Sequence, residues 1–210
     1  MKKTFLVFTA VLLSTPVIVN AAPGKPPQEA AASADKTAPS YDMKAQALLD
    51  LQGVHKRMVE LAQAIPAEKY TWRPEAGARS ISEVFLHLTA ANHNIMALMT
   101  GITAMPEFKV KGFEDSTTDK SKIVPLLDQS FTFAENAIQG MTNADFARPE
   151  KKLGPEANSG DVVYLEVTHV HEHFGQSIAY ARVNGITPPW TLEAEKKAKA
   201  AQGSSAPKQD

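Results

Sequence analysis

Residues 166–177 read EVTHVHEHFGQS and hold three of the six histidines of the chain, with no proline among them. His169 and His173 stand four residues apart. On an α-helix that spacing stacks two side chains on one face, with Cβ atoms roughly 5–6 Å apart. Two imidazoles so placed reach a single metal ion, whose bonds to nitrogen are about 2.0–2.1 Å for zinc. His171 points to the far side of the same helix and cannot share that ion. A pair is not a site, and the third ligand has to come from another element. His87 is the candidate, because it falls on or beside the inward stripe of an earlier helix. Two imidazoles from one helix and one from another hold a metal from one side and leave positions open for water or substrate. That is the arrangement of a catalytic site, in contrast to a closed structural one.

Other residues gather around these three. Glu166 lies one turn before His169 and Glu83 one turn before His87, as candidate orienting groups or general bases, although the expected place of both is the surface. Gln176 is placed to bond a ligand histidine or to cap the pocket. Arg182 is a candidate for an anionic substrate or for a structural ion pair. His55 sits beside the buried stripe of the first helix and is expected at a boundary with one nitrogen in water, and His93 is expected on or near the surface.

Composition narrows the chemistry. The 210 residues contain no cysteine, which excludes disulfides, thiolate catalysis, Cys-type zinc sites and covalent c-type haem. Any metal is therefore held by nitrogen and oxygen. The N-terminus carries Lys2 and Lys3, an apolar run through residue 19 and small residues at the positions a signal peptidase reads. This pattern predicts a signal peptide over 1–21, cut after Ala21, and a periplasmic or secreted mature protein with no membrane segment. The formal net charge of −1 moves two units further negative when those lysines leave. No basic patch then remains for a phosphate backbone, and nucleic acid is not an expected partner.

The elements that position the histidines follow from periodicity. Residues 22–40 are rich in Pro, Ala and polar residues and predict a disordered linker. From 41 to 65, Ala47, Leu51, Val54, Met58, Leu61 and Ile65 recur at steps of four and three, which predicts one helix with one buried stripe. Pro66 ends it, and a loop carrying Tyr70, Trp72 and Pro74 is expected to cover one end of the bundle. Ser80 or Ser82 caps a second helix that runs to about Thr100 before Gly101, with Val84, His87 or Leu88, Ala91, Ile95 and Leu98 inward. Thr118 or Asp119 caps a third helix through Met141, whose Pro125 is tolerable in the first turns. The fourth helix begins near 159–161 and stops at Asn184–Gly185. Its apolar stripe is Val163, Val167, Val170, Phe174 and Ile178, which puts His169 and His173 at the edge of the core. The tail, 191–210, is expected to fray. Four amphipathic helices and no alternating strand predict an all-α four-helix bundle over 41–190.

Three segments resemble one family. SISEVFLHLTAANHNIM, with His87, is similar to the second helix of the DinB/YfiT-like superfamily. HVHEHFGQSIAYARVNGITPP is similar to its last helix, and IPAEKYTWRPEAGARS to the loop between its first two. The likeness covers roughly 41–189. It implies a four-helix bundle with long connections and a divalent metal, zinc or nickel, on His87, His169 and His173, whereas His55, His93 and His171 match no ligand position. Relatives include thiol-dependent transferases and a maleylpyruvate isomerase; the activity expected of the metal site here is that of a metal-dependent hydrolase or thiol-type transferase acting on a small molecule. The export signal sets this chain apart from the typical cytosolic member. The alternative is a non-catalytic periplasmic metal-binding or interaction module of the same fold; a homodimer is compatible with either. Haem is not expected, since two histidines facing one way from one helix do not supply two axial positions, and no nucleotide cofactor is expected.

Overall fold

A proline has no N–H to continue a helix, and the first helix stops just short of Pro66. In the computed structural model, which describes residues 42–109 and 111–204, α1 spans Met43–Ala64, α2 Ile81–Met96, α3 Lys120–Gln139, α4 Ser159–Val183 and α5 Pro189–Ser204. Polar side chains close the first four at their N-termini, where backbone N–H groups lack partners. Asp42 accepts from the Ala45 N–H, Asp119 from that of Ser121, and reciprocal capping boxes form between Ser80 and Glu83 and between Asn158 and Asp161. Gly185, at φ 77°, supplies the left-handed turn that ends α4, with the Ile186 N–H reaching back to the Ala181 carbonyl (2.9 Å). The second helix is shorter than its periodicity predicts. It ends at Met96, and the chain to Gly101 tightens into three-residue turns such as Met99 N–H to Met96 O (3.1 Å).

Long-range bonds give the helix directions. Lys44 at the start of α1 donates to the carbonyls of Gln139 and Met141 at the end of α3 (both 2.7 Å). Lys120 at the start of α3 donates to Ile65 at the end of α1 (2.7 Å). These helices are therefore antiparallel. Glu150 joins the exit of α2 to the entry of α4, accepting from the Thr100 N–H (2.8 Å) and from the Ser159 hydroxyl (2.7 Å), so α2 and α4 are antiparallel too. The first turns of α1 and α4 line a common cleft and run the same way. Helices α1 and α2 each pack on both α3 and α4, which places α1 and α2 on one diagonal of the bundle and α3 and α4 on the other. Chain neighbours are diagonal or parallel, and each must be joined by a long connection. Among the described residues there is no strand, only an isolated bridge between Pro149 and Asn158, and no helix long and apolar enough to cross a membrane.

The stripe of α1 is buried as its spacing requires, and so are Ile123, Leu127, Phe131, Ala134 and Ile138 of α3. Tyr70 from the first connection is fully buried, its hydroxyl on the Ala62 carbonyl (2.8 Å); Trp72 lies edge-on to Tyr180 (5.2 Å), and Pro74 is exposed. Two expectations are corrected. The buried line of α4 is Val163, Glu166, Val170, His173, Ser177 and Ala181, turned toward the polar row, while Val167, Phe174 and Ile178 are only partly buried. The start of α5 lies beside them, with Trp190 against Phe174 (5.5 Å) and Arg57 over the indole. His93 is not at the surface but is 2% exposed, stacked on Phe108 (4.2 Å) and Phe133 (4.1 Å). The connection between α2 and α3 lays Phe108 over α2 from a short 3-10 turn, Pro106–Lys109, and burial lowers the His93 pKa against a smaller opposing pull from Glu107. The expected signal peptide and linker lie outside the described residues.

Candidate metal centre

The antiparallel contact of α2 and α4 brings His87 level with His169 and His173. The Nε2 atoms of His87 and His173 lie 3.3 and 3.2 Å from His169 Nε2, and one ring nitrogen from each residue falls within 4.8 Å of the others. The sequence-predicted trio is thus brought together. Its inner edges are crowded for neutral rings, and the outer edges show why. His87 Nδ1 faces the Glu114 carboxylate at 2.7 Å, so Nδ1 carries a proton. His173 Nδ1 faces Gln176 Oε1 at 2.8 Å. That amide is oriented by Nε2 donating to the Tyr180 hydroxyl (3.1 Å), and His173 Nδ1 is therefore the donor. With Nδ1 protonated in both neutral rings, two Nε2 lone pairs converge on His169, which has at most one proton to share between them. A cation at that point satisfies all three, and the residues fit a divalent ion with nitrogen ligands.

The electrostatics agree. Burial, followed by repulsion from His173, His87 and Arg79, pulls the His169 pKa down to about 4. Burial also lowers His173, with the Gln176 bond opposing. Neutral imidazoles, the form that ligates metal, are favoured. Partial burial works to raise the Glu114 carboxyl, but hydrogen bonds from Arg79 and His87 outweigh it and hold the pKa below the ordinary value.

Glu114 and Arg79 are the residues that sequence reasoning missed. Glu114 lies in a connection, 27 residues from His87, in the 3-10 turn Phe113–Asp115 entered through Gly112 at φ 86°. Arg79 Nε donates to its other oxygen at 2.7 Å. The local signal was Gly112 before an acidic pair, which reads as a turn but not as a turn that reaches α2.

The remaining candidates fall into place. Glu83 is committed to the α2 cap and to Arg73: one oxygen accepts from the Ser80 N–H (2.8 Å), the other from the Arg73 guanidinium. Glu166 is not at the surface. It is 0% exposed, and burial raises its pKa to about 8. Gln176 accepts from His173 Nδ1. His171 is exposed and bonds the Val167 carbonyl (2.8 Å), and Arg182 is exposed. His55 does not leave a nitrogen in water. Its two nitrogens meet Glu135 (2.7 Å) and Asp128 (2.8 Å) on α3, and its ring stacks on Phe131.

Comparisons with known proteins agree with this architecture. No curated protein matches the chain. Among solved structures, a DinB-like protein from Bacillus cereus ATCC 10987 is similar at a TM-score of 0.60 and 18% identity, over 69% of this chain and 95% of that one. YfiT from Bacillus subtilis, a probable metal-dependent hydrolase with an unusual four-helix bundle topology, is similar at 0.55 and 16%, over 72% and 93%. Likeness at these identities speaks for the fold. The family model of the DinB superfamily matches residues 50–177, more than half of the chain and a span that includes all three histidines. The chain belongs to the DinB superfamily.

Proposed function

We propose that this protein is an exported metal-dependent enzyme, a hydrolase or transferase, that uses one divalent transition-metal ion, zinc or nickel, held by His87, His169 and His173. The observation that carries the reading is the meeting of three Nε2 atoms whose outer edges are, in two cases, pinned by Glu114 and Gln176. A divalent ion bound there supplies a Lewis acid that lowers the pKa of a water or thiol. The chain's own residues do the rest. Glu114 and Gln176 fix which nitrogen of His87 and His173 is bare, and Arg79 holds Glu114 in place. Glu83 has no free oxygen, and Glu166 is buried behind the histidines, so neither is assigned as general base. The basic start, apolar run and small residues of 1–21 support export to the periplasm.

The test is metal content of the purified protein by elemental mass spectrometry, beside alanine variants of the three histidines. About one equivalent of metal is expected in the wild type and none in His173→Ala. Stoichiometric metal retained by folded His173→Ala would refute the site. Metal binding with no turnover on hydrolase and transferase substrates would favour the non-catalytic module instead.

A further inference from the structure

The outer edges of the three rings are not served alike. His87 Nδ1 has Glu114 and His173 Nδ1 has Gln176, but His169 Nδ1 is buried without a hydrogen-bond partner. One turn earlier on the same face of α4, Glu166 Oε2 is in the same condition. A buried polar atom left unpaired is costly, and residues three apart on a helix are surface neighbours. Two such atoms at neighbouring positions on one helix face call for a shared partner. Glu166 is held there from across the bundle. With the Asn92 amide oriented to satisfy its surroundings, its nitrogen donates to Glu166 Oε1 (3.1 Å) and to the Leu88 carbonyl (3.0 Å), and its oxygen accepts from the Ser130 hydroxyl (3.1 Å). Asn92 stands five residues beyond His87 on α2, which runs antiparallel to α4. The Glu166 carboxyl therefore occupies the layer directly beneath the histidines.

We propose that Glu166 is the positioning residue of His169, holding its Nδ1 edge through one buried water, as Glu114 and Gln176 hold the other two rings directly. The inference rests on the metal reading of the site. A buried water needs two to four polar partners, and here it has the imidazole and the carboxyl. Having two donors and two lone pairs, it serves the carboxyl with or without its proton. With this contact every ligand ring has its outer edge fixed, and all three Nε2 atoms are aimed at one point. Glu166 touches no reacting atom in this role.

The experiment measures zinc affinity of the purified protein by competition with a chromophoric chelator, for the wild type and for E166L, E166Q and E166D. The ring Nδ1–H of His169 is followed in the same zinc-loaded samples by ¹H–¹⁵N NMR. E166L is expected to weaken zinc binding about 10–100-fold and to shift the Nδ1–H resonance or lose it to solvent exchange. E166Q, which keeps a polar group for the water, recovers most of both. If E166L does not fold, E166D, whose carboxyl is drawn back by one methylene, takes its place with the same expectation. Unchanged zinc affinity and an unchanged Nδ1–H in the folded variant overturn the inference while leaving the metal site standing. A wild type that binds neither zinc nor nickel overturns the metal reading and this inference with it.

Discussion

His87 owes its orientation to a residue that no helical spacing predicts. The carboxylate of Glu114 accepts from its Nδ1–H at 2.7 Å, and Arg79 donates to the other oxygen of that carboxylate. Outer partners of metal-binding histidines fix the ring and raise its basicity, and their loss costs about 10–100-fold in metal affinity. Glu114→Gln is therefore expected to weaken zinc binding in that range, read by chelator competition, with unchanged helical circular dichroism because Glu114 lies in a connection. Affinity equal to wild type would remove Glu114 from the site. At this scale the histidine trio was legible in the sequence, from an i, i+4 pair and the resemblance that singles out His87. The neighbours were not. His93 and Glu166 look like surface residues by type and are buried, because the elements that cover them are remote in sequence.

Helices carry the histidines, and their ends lock the helices in place. Glu150 is 1% exposed and accepts from Thr100, Ser159 and Arg148, tying the exit of α2 to the entry of α4. Burial works to raise its pKa, but these hydrogen bonds outweigh it and hold the value below 4.5. A carboxyl whose folded pKa is depressed stabilises the fold above its unfolded pKa and loses that contribution as pH falls through the folded value. Glu150→Gln is expected to lower stability at neutral pH by about 1.5–3 kcal/mol, the range for a hydrogen bond to a charged group. The gap to wild type should narrow as pH drops below 4.5. Urea unfolding across pH measures both, and a gap independent of pH would show that its charge plays no part. Caps and stripes were legible for α1 and α3, where local pattern and burial agree. For α4 the buried line turned toward the polar row, the side that packs on α1 and α2, and its apolar spacing alone did not foretell this.

The whole bundle is organised by its diagonals. Antiparallel packing of α1 with α3 and of α2 with α4 joins helices that are not successive in the chain, and the three long connections follow from that order. One of them supplies Glu114, so the topology also builds part of the site. The chain as a whole carries a further expectation, that of export. Expressed at full length in a Gram-negative host, it is expected in the periplasmic fraction with its N-terminus at Ala22, read by intact mass and N-terminal sequencing. Full-length protein in the cytoplasm would contradict the signal-peptide reading.

By itself the sequence determined four amphipathic helices, most of their caps, an oxygen-and-nitrogen chemistry without thiols, and the three histidines that meet. Those properties depend on neighbours within a turn or two, where spacing and side-chain type decide. Only the tertiary structure decided which way α4 faces, that Glu166 and His93 are buried, and that Glu114 and Arg79 stand behind His87. These depend on contacts between residues tens of positions apart, and such contacts are settled by how the helices pack and where the connections fall.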